Sequence, residues 1–234
     1  MYASDQTLIS GRLGLDPLFK VERSELLNKK VKKSIASKLK NIFEAVQKVE
    51  DASGVTYPPY YVEPVLMVVP PSGNMVDGLG VLYARTIPVE IEAKVRIVVE
   101  FSAPLVLYAT KTSLKLVAAH ELMHYLELIR NFSTMNVTSQ ITASSTFEES
   151  YVDSSRAIDP VLVFKDKRFA KTLAKRTSIG YNDPKLDEKC KTKWIEKGMP
   201  LAKISIGSNQ VSIGVESIMR SEFDPKAQEL VRKL

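Results

Sequence analysis

Two histidines are all this chain has, and both fall in one five-residue string, His120-Glu121-Leu122-Met123-His124. On a helix, positions i and i+4 point the same way, because the helix turns once per about 3.6 residues. The two imidazoles can therefore close on one metal ion, with Glu121 placed to touch a water on that ion. Zinc suits such a set. It takes neutral imidazole nitrogen at about 2.0–2.1 Å and keeps one position open in catalytic sites. The flanks, Val117-Ala118-Ala119 and Tyr125-Leu126, are uncharged, as befits a helix buried beneath a site.

A catalytic zinc takes three protein ligands. No third histidine exists, so the third ligand must be Asp, Glu or the lone Cys190. Cys190 sits in the charged run Glu188-Lys-Cys190-Lys-Thr-Lys193, which reads as surface. Glu149 lies 25 residues beyond His124, and Asp153 follows it four residues later, on the same helical face. Glu149 is then the third ligand. Asp153 takes the second N–H of a ligating imidazole and so fixes its tautomer. Glu148 is the alternative ligand, but position 152 is valine and offers it no such partner.

Val117-Ala-Ala-His120-Glu121-Leu-Met-His124-Tyr-Leu126, followed by Glu149-x-x-x-Asp153, resembles the gluzincins, the thermolysin-like clan of zinc metallopeptidases. The likeness covers roughly residues 60 to 160, and the absence of long insertions places it with the small, minimal members. The resemblance implies a zinc-dependent endopeptidase with His120, His124 and Glu149 as ligands and Glu121 as general base. Its substrate would be a peptide or an unfolded protein. Larger members use a further histidine to stabilise the oxyanion. Here Tyr151, Arg156 or Tyr181 would have to donate instead.

The elements that position these residues can be read from periodicity. Residues 1–20 form an arm with little pattern. From Glu22 to about Ala52, Leu27, Val31, Ile35, Leu39, Ile42, Val46 and Val49 recur at three- and four-residue steps. That is a long amphipathic helix, and its stripe is read as core packing rather than a coiled-coil seam. Three strand-like runs follow, Val62–Pro70, Gly80–Thr86 and Lys94–Phe101. The resemblance implies that the third rims the cleft as an exposed edge, where an extended peptide pairs through its backbone. Thr112 or Ser113 caps a helix over Leu114–Arg130, and a second helix over Ser139–Ala157 carries Glu149. Asp159-Pro160 ends it. Beyond lie a basic helix over Lys167–Thr177, a helix reaching Glu196, a short hairpin over Ile204–Ile213 and a last helix from Pro225.

The expected fold is α+β. A small mixed or antiparallel sheet packs on the HExxH helix and a Glu-bearing helix, zincin-like, with a long N-terminal helix and a C-terminal extension. The expected division is an N-terminal arm and helix over 1–54, a metallopeptidase core over 55–165, and a basic extension over 166–234. That extension is long enough to fold back across a cleft as a plug.

The net charge of the 234-residue chain is +6. Residues 165–203 carry twelve Lys/Arg against five Asp/Glu. Such a bias favours anionic partners, nucleic acid among them. Two further classes therefore stand beside the peptidase. One is a protease acting on nucleic-acid-bound proteins through the basic C-terminal region; the other is a non-catalytic metal-binding interaction protein. The apolar stretches Val65–Val69 and Ala103–Ala109 are far too short to span a bilayer. A single cysteine excludes an internal disulfide framework. With no basic-then-apolar leader at the start, the expected residence is cytoplasmic, with no membrane partner.

Overall fold

A computed structural model describes residues 16–69, 80–134, 158–177, 181, 183–204 and 215–234. The chain begins with helices α1 (Phe19–Arg23) and α2 (Lys29–Ser53), then strands β1 (Tyr60–Glu63), β2 (Leu66–Val69), β3 (Gly80–Leu82), β4 (Ala84–Ile91) and β5 (Lys94–Ser102). Helices α3 (Ala103–Tyr108) and α4 (Lys111–Thr134) follow. The C-terminal third holds α5 (Pro160–Val163), α6 (Lys167–Thr177), α7 (Pro184–Cys190) with a π-helical turn (Lys191–Ile195), β6 (Leu201–Lys203), α8 (Val215–Met219) and α9 (Pro225–Arg232). The class is α+β with small mixed sheets.

The helical run expected from Glu22 is broken in two. Asn28 is extended, and its Oδ1 accepts from the Val31 N–H at 3.0 Å, so α2 starts at Lys29. At the other end Gly54, with φ +75°, takes the left-handed position that only glycine occupies without strain. Ile35, Leu39, Ile42, Val46 and Val49 are buried, and α2 lies against α3 and α4. The stripe is core packing.

One sheet has the order β1-β5-β4, with β1 parallel and β4 antiparallel to β5. The other has the order β3-β2-β6. The expected run Val62–Pro70 is two strands in two sheets, parted after Glu63. The expected edge strand, Lys94–Phe101, is central instead. The reason is burial on both faces: Val95, Ile97, Val99 and Phe101 face the core, while Val98 on the opposite face is only 1% exposed. A strand buried on both faces takes partners on both sides. Among the described strands β1 and β4 are the edges of this sheet, and an edge is a place where Pro88 of β4 is tolerated.

The face of this sheet turned away from α4 carries a polar cluster. Glu100 is 2% exposed. It accepts from Tyr61 Oη and Arg85 Nε, on the strands either side. Lys20 of α1 donates to Tyr61 Oη at 3.0 Å, pairs with Glu63, and lies 3.7 Å from Glu100. Burial, and then the Glu100 charge, push the Tyr61 hydroxyl well above its ordinary pKa.

The C-terminal third is knitted into the body. Strand β6 joins β2 in parallel, and one hydrophobic cluster runs from Leu18 to Val231. Trp194 is fully buried, its Nε1 donating to the Pro200 carbonyl at 2.9 Å. Cys190, expected at the surface, is fully buried too, because α7 turns it inward among Tyr83 and Asp187. Helix α9 lies along α4, and Phe223 stacks on Phe132 with ring centroids 5.5 Å apart. The expected helix over 139–157 lies outside the described residues, as does all of the expected hairpin but Ile204. Among the described residues no helix is long and apolar enough to cross a membrane.

Strands β4 and β5 are joined by Glu92-Ala93, both at φ +54°. A two-residue hairpin turn favours that geometry because it matches strand twist, but a Cβ makes it costly. Ala93→Gly should therefore stabilise the fold by about 0.5–1 kcal/mol, read as a raised urea midpoint. A lowered midpoint would reject the turn.

Candidate metal centre

Helix α4 starts earlier than its expected caps. Thr110 Oγ1 accepts from the Ser113 N–H at 3.0 Å, so Thr110 is the cap rather than Thr112 or Ser113. Beyond it the helix is covered on most sides. Leu114, Val117, Ala118, Ala119, Leu122, Leu126 and Ile129 are all buried. The small pair Ala118-Ala119 lets neighbours come close, and Tyr57 Oη donates to the Ala118 carbonyl at 3.0 Å. This burial fixes the helix as the floor of the site.

His120 and His124 stand on this floor, half-buried, with ring centroids 4.5 Å apart and planes inclined at 71°. Their Nε2 atoms face each other at 3.1 Å. Two nitrogens bound to one tetrahedral zinc at about 2.0–2.1 Å would stand about 3.3 Å apart. The observed spacing fits that requirement within a few tenths of an ångström.

The other nitrogen of His124 is already spoken for. Its Nδ1 lies 3.0 Å from Glu127 Oε2. A carboxylate accepts, so Nδ1 carries the hydrogen, and in the neutral ring Nε2 is left with a lone pair aimed at His120. Glu127 Oε1 accepts in turn from the Ile158 N–H at 3.2 Å. One carboxylate thus orients the ring and anchors the chain where it returns to the helix. This is the arrangement that fixes a metal-ligating histidine.

Glu121 reaches the sheet with one carboxylate oxygen. It is 3% exposed, and its Oε2 accepts from Thr86 Oγ1 of β4 at 2.7 Å. Thr86 Oγ1 also lies 3.1 Å from the Glu121 carbonyl oxygen.

Burial sets the electrostatics. It pushes the Glu121 carboxyl up, against the opposing pull of His124 and Thr86. It drives His120 down to about 3, helped by the His124 charge. For His124 burial again pulls down, but the Glu127 hydrogen bond and the charges of Glu121 and Glu127 outweigh it and the value rises. At 3.1 Å the His124 lone pair accepts from an Nε2–H of His120 in one tautomer, and in the other the two lone pairs point at one shared position. The imidazole pair is built to share one proton or one cation.

The structure brings together His120, Glu121 and His124, as their spacing predicts. It adds Glu127 and Thr86. Glu127 was visible in the sequence by the same helical rule, since it sits three residues after His124. Thr86 lies 35 residues from Glu121 and carries no local signal. The orienting role expected of Asp153 is filled, for His124, by Glu127. Tyr181 is engaged elsewhere: its hydroxyl lies 3.5 Å from Asp183 Oδ2, which also takes the Ser113 hydroxyl at 2.6 Å. Ser113 is seven residues before His120, about 10 Å along the helix axis. Glu148, Glu149, Tyr151, Asp153 and Arg156 lie outside the described residues. Among the described residues no group of three His, Cys, Asp or Glu side chains converges as a metal site.

No protein-family model, curated protein or solved structure is found to match this chain.

If the imidazole pair holds zinc, Glu127→Ala should weaken that binding about 10–100-fold, because His124 loses the partner that fixes its tautomer. Competition against a chelating dye measures this. Unchanged affinity would mean that the pair at Nδ1 does not serve a metal.

Proposed function

We propose that this protein is a zinc-dependent endopeptidase of gluzincin type, with a zincin-like arrangement of sheet and site helix. The observation that carries the reading is the 3.1 Å approach of the two Nε2 atoms, with Glu127 holding one ring in its tautomer. His120, His124 and Glu149 would hold the ion. When bound, zinc supplies Lewis acidity, acidifying a water toward neutral pH and polarising a carbonyl.

The chain's own residues do the rest. Glu121 takes the proton of the attacking water on its carboxylate and hands it to the leaving amine. Thr86 holds Oε2 of that carboxylate, so its orientation is set before substrate arrives. Burial of both groups keeps bulk water from competing for the proton. Strand β4 supplies Thr86 and is also an edge of its sheet among the described strands. Its outer backbone groups are suited to an extended peptide, which favours unfolded protein as substrate over a small molecule.

Glu121→Gln should retain zinc and lose about 10²–10⁴-fold in kcat on an unstructured protein such as casein. Glu149→Ala should lose the metal, whereas Glu148→Ala should keep it. Thr86→Val should lower kcat by on the order of tenfold with KM unchanged, and Thr86→Ser should restore it. Casein cleavage that survives a chelator, or that survives Glu121→Gln, rejects the assignment. Metal bound without turnover in the wild type would leave the centre a structural one.

A further inference from the structure

Away from the histidines, three helices enclose a second depression. Helix α2, the start of α4 and the start of α6 form the walls of a groove of about 370 Å³. Four cations line it: Lys48 from α2, Lys111 and Lys115 from α4, and Arg168 from α6. Two carboxylates share the lining, and both are committed. Glu44 pairs with Lys111 at 2.7 Å. Asp166 Oδ1 accepts the N–H groups of Arg168 and Phe169 at 2.9 and 3.1 Å, as the cap of α6. Lys115 is held with its Nζ 3.9 Å above the Phe169 ring, inside the groove. Lys48 and Arg168 are exposed and form no close ion pair among the described residues, although Lys48 stands near enough to Glu44 to lower its carboxyl. The groove therefore keeps an excess of positive charge over a partly apolar floor.

The charge continues beyond the groove. Along α6, Lys167, Lys171 and Lys175 are exposed, and the helix contains no acidic residue. On the opposite bank Lys40 is exposed as well. From Lys167 to Lys175 the strip runs about 12 Å. One isolated phosphate would need far less. A duplex is too wide to enter between the helices and would touch only their rims. A single strand is narrow enough to lie in the groove and flexible enough to follow the strip.

We infer that this groove binds the phosphate backbone of a single-stranded nucleic acid. The ligand is recognised by charge, so binding is tolerant of sequence and falls with salt. With three or four phosphates contacted, log Kd should rise with log salt at a slope of about 2–3. The inference does not depend on the metal centre.

The test is fluorescence anisotropy on the full chain with a labelled single-stranded oligonucleotide of about 20 nucleotides, DNA and RNA, from low to physiological salt. Micromolar binding with that slope is expected at low salt. The double substitution Lys48→Glu/Arg168→Glu should weaken it about tenfold or more. The double substitution Lys94→Glu/Lys233→Glu, which makes the same charge change away from the groove, should leave it nearly unchanged. Lys48→Gln/Arg168→Gln serves if the charge reversal perturbs folding by circular dichroism, and should weaken binding less steeply. Absence of binding at low salt overturns the inference. So does an equal loss in both charge-reversal variants, and so does binding of a duplex or of tripolyphosphate without binding of the single strand.

Discussion

The burial of α4 is the constraint on which the rest of the structure depends. A helix with apolar residues around most of its surface must be covered on most sides, and α2, the β1-β5-β4 sheet, α6 and α9 provide the cover. Inside that cover each polar group needs a partner, because an unmet one costs about 1–3 kcal/mol. Glu121 finds Thr86, and Glu127 finds both His124 and the Ile158 N–H. The remaining demand falls on the imidazoles' Nε2 atoms. They meet each other at 3.1 Å, the one place on the helix where two ring nitrogens share a single position.

That pattern separates two kinds of side chain on one helix. Leu122 and Leu126 are there to be covered. Glu121 and Glu127 are buried with specific partners, while His120 and His124 are only half-buried. The same helix supplies, at its far end, Lys111 and Lys115 to the basic groove. The basic groove is therefore served by the N-terminal end of this helix and the histidine pair by its middle, five residues beyond Lys115.

What the sequence made legible follows from range. The HExxH helix, α2, α6 and α9 rest on periods of three and four residues, which a chain displays locally. The motif His120 to His124 is local as well. Glu127 is equally local, three residues after His124 on the same helical face. Thr86 and Tyr57 meet α4 only through tertiary packing, so nothing near them in the chain marks them out. The same holds for β5, whose central place depends on what covers both its faces. It holds again for Cys190, where charged neighbours masked a single inward-facing position. The parting of β1 from β2 has a local cause in Pro64, after which the chain enters another sheet.

The polar cluster around Glu100 reaches further than its own face. Side chains alternate along a strand, so a slip of one residue between β4 and β5 would turn Arg85 toward the helices and Thr86 away from them. Glu100 would then lose Arg85 as a partner. The grip of Arg85 and Tyr61 on Glu100 forbids that slip from both sides of β5 at once. Since Thr86 is the next residue after Arg85, the charges on the remote face of the sheet act as a ratchet for the hydroxyl that meets Glu121. Neutralising Glu100 would loosen the alignment on which that hydroxyl's aim rests.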